Sequence, residues 1–156
     1  MSYHRIVTGT DGSPRADVAV RHAARLAAAF GAELVVVSAF PEHVSPDTAR
    51  AVEEAPEEVR WRVGNVGAAE EHVNAAAALA KTEGVRSVRT VVEPGDPADV
   101  IIRAAEEWNG DVIVVGNRGM ASATRFVLGS VPNKVSHHAP CDVLIVDTGH
   151  GAEGAA

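Results

Sequence analysis

The chain has 156 residues, of which 46% are hydrophobic and 22% are charged, and its formal net charge is -7. This length and composition predict one folded domain with a sizeable core, and they exclude a disordered or fibrous chain. The negative charge and the absence of a dense Lys/Arg cluster argue against nucleic acid and anionic membrane surfaces as partners.

The first third of the chain predicts a strand, a helix and a second strand. The β-branched run 5–10 predicts the first strand, and Ser13 followed by Pro14 predicts the N-cap and first position of a helix. Apolar residues recur at helical spacing as far as Gly31, which is placed just past a helix end. Run 34–37 predicts the second strand, and the acidic stretch 41–60, which contains Pro and lacks a convincing period, predicts a loop or a poorly ordered excursion.

The remainder predicts three further helices and three further strands. An Ala-rich helix runs from about Ala68 to Glu83, and Asp96-Pro97 begins a helix that ends at Gly110. The strands are 88–92, which suits a sheet edge, 111–116, which is apolar at every interior position and suits a sheet centre, and 143–146. Ser130 is the predicted cap of a short last helix.

Strands that alternate with helices predict an α/β fold with a doubly wound, five-stranded parallel sheet, right-handed crossovers and helices on both faces. We expect a single domain over residues 1–148 and a flexible Gly/Ala tail over residues 149–156. In such sheets ligands bind beyond the carboxyl ends of the strands, where the strand order reverses. The loops at residues 9–13 and 116–130 are therefore the candidate site.

The second loop has glycines at its strand exit, three residues later, and immediately before a helix: Gly116, Gly119 and Gly129, followed by Ser130. Glycine lets the backbone approach an anion closely, and a helix N-terminus favours negative charge. The alternative is that these glycines are turn residues only. The loop is not a Walker A motif, because no Lys follows its last glycine, and its glycines are too widely spaced for a dinucleotide fingerprint.

The spacing G-x2-G-x9-G-S resembles the ATP-binding subgroup of the universal stress protein family. The resemblance extends to residues 7–13, 92–97 and 142–146. It implies a Rossmann-like fold of the adenine nucleotide alpha hydrolase type, with strand order 3-2-1-4-5.

The resemblance also implies roles for individual residues. Gly116, Gly119, Gly129 and Ser130 would form the phosphate and ribose cradle, which Val131 continues through its backbone. Asp11, in the first turn with Gly9 and Thr10, would contact the nucleoside, and Ala39 would offer a backbone contact to adenine. ATP is the expected ligand and is compatible with Mg²⁺. Cyclic AMP is the alternative, because Pro132 and Asn117-Arg118 look like an actinobacterial subgroup in which some members bind it.

Several residues keep a second interpretation. The alternative for Asp11 is a turn Asp that caps the following helix, although the two loops together favour the ligand role. Arg118 and Arg125 are either phosphate clamps or solvated loop residues. Adjacent His137 and His138 point in different directions on a helix, so a solvent-facing role is favoured over a metal site. Cys141 is expected to pack as a small apolar residue.

No nucleophile or general base can be named, so the sequence predicts a nucleotide-binding or signalling module for the stress response rather than an enzyme. Weak ATP hydrolysis and a nucleotide-free interaction protein are the alternatives. A single cysteine, which allows no intrachain disulfide, and the lack of an apolar leader or span predict a cytoplasmic protein. An apolar last strand at the sheet edge predicts a homodimer through its four residues, Val143, Leu144, Ile145 and Val146.

Overall fold

A computed structural model describes residues 2–42, 46–54, 56, 65–118 and 128–149. Its strands are β1 (Arg5–Gly9), β2 (Glu33–Phe40), β3 (Val88–Pro94), β4 (Val112–Gly116) and β5 (Asp142–Val146). They form one parallel sheet in the order β3-β2-β1-β4-β5, which confirms the predicted fold and strand order. The order reverses between β1 and β4, so a crevice opens at the carboxyl ends of these strands.

The helices of the described residues are α1 (Pro14–Phe30), α2 (Pro46–Glu54), α3 (Val66–Thr82), α4 (Pro97–Glu107) and α5 (Ser130–His138). Because strand side chains alternate in direction, Val36 and Val114 pack under α1 and α3, whereas Val35 and Ile113 pack under α4 and α5. The domain is therefore a sheet with a helical layer and a hydrophobic core on each face. No helix among these residues has the length and apolar character needed to cross a membrane.

Side-chain caps fix where the helices begin. The Ser13 hydroxyl accepts a hydrogen bond from the Ala16 N–H at 3.1 Å, and the Asp96 carboxylate accepts one from the Asp99 N–H at 3.3 Å. Gly31 adopts the left-handed conformation, with φ 65°, as its position past a helix end predicts. The cap that sequence analysis missed is Asn65, whose side chain accepts from the Ala68 N–H at 2.8 Å. Helix α3 accordingly begins at Val66 instead of about Ala68.

The loop prediction for residues 41–60 is wrong over 46–54, where α2 forms. Its described side chains are all exposed: Asp47, Arg50, Ala51, Glu53 and Glu54. Because these described side chains face solvent, they offer no apolar stripe from which the helix could be recognised.

Two predicted helix boundaries also need correction. Helix α4 ends at Glu107, and the left-handed residue that follows is Asn109, with φ 52°, rather than Gly110. Gly110 is instead a packing residue, because a Cβ there would lie 2.8 Å from Cγ2 of buried Val7. At the start of α5 the N-cap is Gly129, and Ser130 is the first helical residue rather than the cap.

The close packing of Gly110 against Val7 leads to a prediction about stability. Gly110→Ala should lower the free energy of unfolding by about 1–3 kcal/mol, because its methyl group would overlap the rigid Val7 side chain. Gly67→Ala is the matched control, since its Cβ would meet only Asn65 Oδ1, at 3.4 Å, in the exposed first turn of α3. This control should be neutral or stabilising by about 0.5–1 kcal/mol. Urea unfolding measures both, and equal midpoints for the two variants would contradict the packing argument.

Candidate functional site

A pocket of about 150 Å³ lies at the crevice between β1 and β4. Its walls are the carboxyl ends of β1, β2 and β4 and the first turns of α1, α4 and α5. Seven of the predicted site residues line it: Gly9, Thr10, Asp11, Ala39, Gly116, Arg118 and Val131. Gly129 and Ser130 adjoin Val131 at the start of α5, and Gly119 lies outside the described residues.

The turn between β1 and α1 is held by a short series of hydrogen bonds. Asp11 Oδ1 accepts from the Ser13 N–H at 2.9 Å, and Thr10 Oγ1 accepts from the Gly12 N–H at 3.1 Å. The Thr10 N–H donates to the Val37 carbonyl at 2.9 Å, which ties the turn to β2. Asp11 thus performs the turn role considered for it while also lining the pocket, so the two interpretations are compatible.

Two of the pocket glycines are required by side-chain packing. A Cβ on Gly9 would lie 2.6 Å from Cδ1 of Ile101, and a Cβ on Gly116 would lie 2.8 Å from Cγ2 of Thr148. Real side chains do not approach so closely, so a Cβ at either position would require the neighbouring side chain to move. Close approach to a ligand is therefore not the only reason for glycine at these positions.

At the end of β2, the backbone N–H and C=O of Ala39 face the pocket. The Val37 carbonyl faces β1, because it accepts from the Thr10 N–H, whereas the Phe40 carbonyl faces β3, because it accepts from the Gly95 N–H at 2.9 Å. Backbone groups alternate in direction along a strand, so the N–H and C=O of Ala39 point to the β1 side. Since β1 has already ended at Gly9, these two groups extend into the pocket, which Ala39 lines.

Asn117 joins the exit of β4 to α5 and to the segment after β5. Its carbonyl accepts from the Gly129 N–H at 2.9 Å, and its own N–H donates to the Val146 carbonyl at 2.8 Å. Its Oδ1 accepts from both the N–H and the hydroxyl of buried Thr148, each at 3.1 Å. The first turn of α5 is thereby held against the exit of β4, with its free N–H groups beside the pocket.

The cationic side chains that line the pocket are Arg118, as expected, and Arg15, which sequence analysis did not identify. Arg118 is half-buried, and its Nε is buried without a hydrogen-bond partner among the described residues. Close by, burial raises the pKa of the Asp17 carboxyl in the first turn of α1, although Arg21 opposes this shift. Arg125, the other candidate clamp, lies outside the described residues.

The remaining candidates lie away from the pocket. His137 and His138 are both exposed, and the described part of the chain holds no group of three or more His, Cys, Asp or Glu residues suited to a metal ion. Cys141 packs against the core on the α4 and α5 face, and burial raises the pKa of its thiol. The structure thus gives Cys141 the apolar packing role predicted for it.

Other lining residues that the sequence analysis did not assign to the site include Val37 of β2 and Pro97 and Ile101 of α4. The placement of Pro97 in the first turn of α4 was a usable signal, because this turn faces the ligand edge of a parallel sheet. The sequence analysis considered Asn117 only as part of the dipeptide Asn117-Arg118. Its hydrogen bonds with Thr148 could not be predicted, because they depend on the tertiary structure.

Comparison with known proteins agrees with this architecture. The profile of the universal stress protein family matches residues 2–147. Universal stress protein Rv1636 of Mycobacterium tuberculosis is 36% identical over 148 residues, which cover 94% of this chain and 98% of that protein. A universal stress protein crystallised in complex with cAMP is 30% identical, with a TM-score of 0.68 and coverage of 95% and 99%. The Archaeoglobus fulgidus universal stress protein in complex with dAMP is 25% identical, with a TM-score of 0.65 and coverage of 94% and 100%. The chain therefore belongs to the universal stress protein family.

Proposed function

We propose that this protein is an adenine-nucleotide-binding module that acts in stress-response signalling rather than in catalysis. The observation that carries the proposal is the pocket where the strand order reverses. It combines an open backbone edge at Ala39, a carboxylate at Asp11 and the N-terminus of α5. These are complementary to a base, a ribose and a phosphate, respectively.

The adenine end of the ligand is assigned to the end of β2. The Watson–Crick edge of adenine carries a donor and an acceptor, which match the C=O and N–H of Ala39. Val37 and Ile101 supply apolar surface for the faces of the ring, as small-molecule pockets commonly do. Asp11 uses Oδ1 in its turn, so Oδ2 is the acceptor that we assign to a ribose hydroxyl.

The phosphates are assigned to the loop between β4 and α5. Free N–H groups at the N-terminus of α5, including that of Val131, favour an anion over Gly129 and Ser130. Gly116 and Arg118 line the same pocket. Gly119 is assigned to the same phosphate site from the spacing of the glycine motif alone.

The preferred ligand in this proposal is ATP, with cyclic AMP as the alternative. One family member was crystallised with cAMP and another with dAMP, so adenine and a phosphate are common to both complexes. The described residues offer no carboxylate cluster for Mg²⁺. A Mg²⁺ ion carried by ATP would therefore be coordinated mainly by phosphate oxygens and water.

A binding role is favoured over hydrolysis because no His, Lys, Cys or Glu is found among the described residues that line the pocket. Asp11 is the carboxylate there, and it is engaged in its turn. The hydroxyl oxygens of Thr10 and Ser13 accept hydrogen bonds from the Gly12 and Ala16 N–H groups, so these side chains hold the turn and the helix start. Weak ATPase activity and a nucleotide-free interaction role are the alternatives, within a cytoplasmic domain over residues 1–148 followed by a tail.

A substitution at the cap of α5 tests nucleotide binding. Gly129→Glu should reduce the affinity for ATP below detection, because a bulky anion would occupy the place of the phosphates. Asn133→Glu is the control, since it adds the same charge one turn later on an exposed position of the same helix. Calorimetry with both variants, supported by circular dichroism for the fold, gives the answer. Unchanged affinity in Gly129→Glu would refute the site assignment.

The proposed assembly is a homodimer through β5. Leu144 and Ile145 are 41% and 37% exposed although they lie on opposite faces of the strand, because the helices leave this edge of the sheet uncovered. Positions 143–146 carry neither charge nor Pro, the usual protections of an edge strand. Pairing with β5 of a second copy about a two-fold axis would bury both side chains and satisfy the free backbone groups.

Light scattering at micromolar concentration tests the assembly. The wild-type chain should have the mass of a dimer, and Ile145→Lys should give monomers or aggregates, because a charge would enter the apolar interface. Thr90→Lys is the matched control, since Thr90 is exposed on β3 at the opposite edge of the sheet. A monomeric mass for the wild-type chain would overturn the edge-pairing proposal.

A further inference from the structure

The turn between β1 and α1 is covered on one side by a histidine that does not line the pocket. Gly12, at the centre of this turn, has φ 79°, and a Cβ on it would lie 2.5 Å from Nε2 and 3.0 Å from Cγ of His72. Because the ring stands where that Cβ would be, the imidazole packs directly on the Gly12 backbone. Glycine is therefore required here both by the left-handed conformation and by the ring.

His72 belongs to helix α3 and lies on its buried face. It follows Ala69 by three residues and precedes Ala76 by four, and both alanines are buried, so the three side chains share one side of the helix. That side packs into the core formed with α1, and the His72 side chain itself is half-buried. A helix anchored in the core thus holds the ring against a glycine that has little conformational preference of its own.

The pocket lies on another side of the same turn. Among the described residues, Asp11 and Ser13 line the pocket, whereas Gly12 and His72 do not. Asp11 Oδ1 accepts from the Ser13 N–H at 2.9 Å across Gly12, so the direction of the whole carboxylate depends on the conformation of that glycine. The His72 ring can therefore affect a bound ligand through the turn without contacting the ligand.

We propose that His72 is a positioning residue of the nucleotide site: by packing on Gly12, it holds the turn in the conformation that directs Asp11 Oδ2 towards a ribose hydroxyl. This inference rests on the proposed nucleotide-binding function. It makes α3, which contributes no described residue to the pocket lining, a determinant of the preference for ribose over deoxyribose. Without the ring, Gly12 gains access to other backbone conformations, and the carboxylate is no longer preorganised for the sugar.

The test is a calorimetric titration of the full chain with ATP, 2′-deoxy-ATP and 3′-deoxy-ATP. The wild-type chain should bind ATP about tenfold more tightly than the analogue that lacks the hydroxyl donating to Asp11, as expected for a hydrogen bond to a charged group. His72→Ala should reduce this preference to about twofold or less by weakening ATP binding, and should leave the affinity for that analogue nearly unchanged. His72→Phe should retain the wild-type preference, because another flat ring packs on Gly12 in the same way.

Asn74→Ala is the matched control, since it shortens an exposed polar side chain on the same helix and should change none of the affinities. His72→Gln, which also lacks the ring, replaces His72→Ala if circular dichroism shows that the alanine variant is poorly folded. A change that only destabilised the fold would lower the affinities for ATP and for both analogues by the same factor. The ratio of these affinities therefore measures the positioning role.

The outcomes separate this inference from the proposed function. If the wild-type chain binds none of the three nucleotides, the proposed function itself fails. If it binds ATP but the variants without the ring keep the affinity ratios of Asn74→Ala, or if His72→Phe loses the preference as His72→Ala does, nucleotide binding stands and the positioning role is overturned. Equal affinity of the wild-type chain for all three nucleotides would also overturn it, because Asp11 would then make no contact with a ribose hydroxyl.

Discussion

The hydrogen bond from the Gly129 N–H to the Asn117 carbonyl closes the long loop between β4 and α5, and the candidate site depends on this closure. It holds the start of α5 beside the exit of β4, and buried Val135 packs the same helix against the sheet. The Asn117 side chain extends the same junction to Thr148, whose methyl group fills the space beside Gly116. Asn117 thus connects the exit of β4 with the start of α5 and with the segment that follows β5.

Much of the fold could be predicted because its elements bury one or two faces. The completely apolar interior of β4 and the Ala-rich stripe of α1 each carry the period of their structure. The strand order came from resemblance to a family, since nothing local to a strand specifies its neighbours. Helix α2 was missed because its described side chains face solvent. The end of α4 was misplaced because Asn109, rather than the adjacent Gly110, adopts the left-handed conformation.

The candidate site was predictable to the extent that it follows from topology. Loops after β1 and β4 had to meet if those strands were neighbours, and the glycine spacing marked the second loop. The packing reasons for Gly9 and Gly116 were not accessible, because Ile101 and Thr148 are distant in sequence and come close only in the folded chain. Arg15 was not predicted as a site residue for a different reason. The first turn of a helix usually favours acidic residues, so nothing in the sequence indicated a role for a basic residue there.

Arginines near the amino ends of the strands and arginines near their carboxyl ends have different surroundings. The contrast is consistent with a ligand site at the carboxyl ends. At the amino edge, Arg5 and Arg89 share the Glu33 carboxylate at 3.0 and 3.4 Å, and Arg5 also donates to the Trp108 carbonyl at the end of α4. There a cation faces the negative end of a helix dipole, which is a favourable arrangement. At the carboxyl edge, Arg118 has a buried Nε without a described partner, beside three positive helix ends. The fold thus fixes Arg5 and Arg89 with its own groups, whereas the described residues offer no hydrogen-bond acceptor to the buried Nε of Arg118.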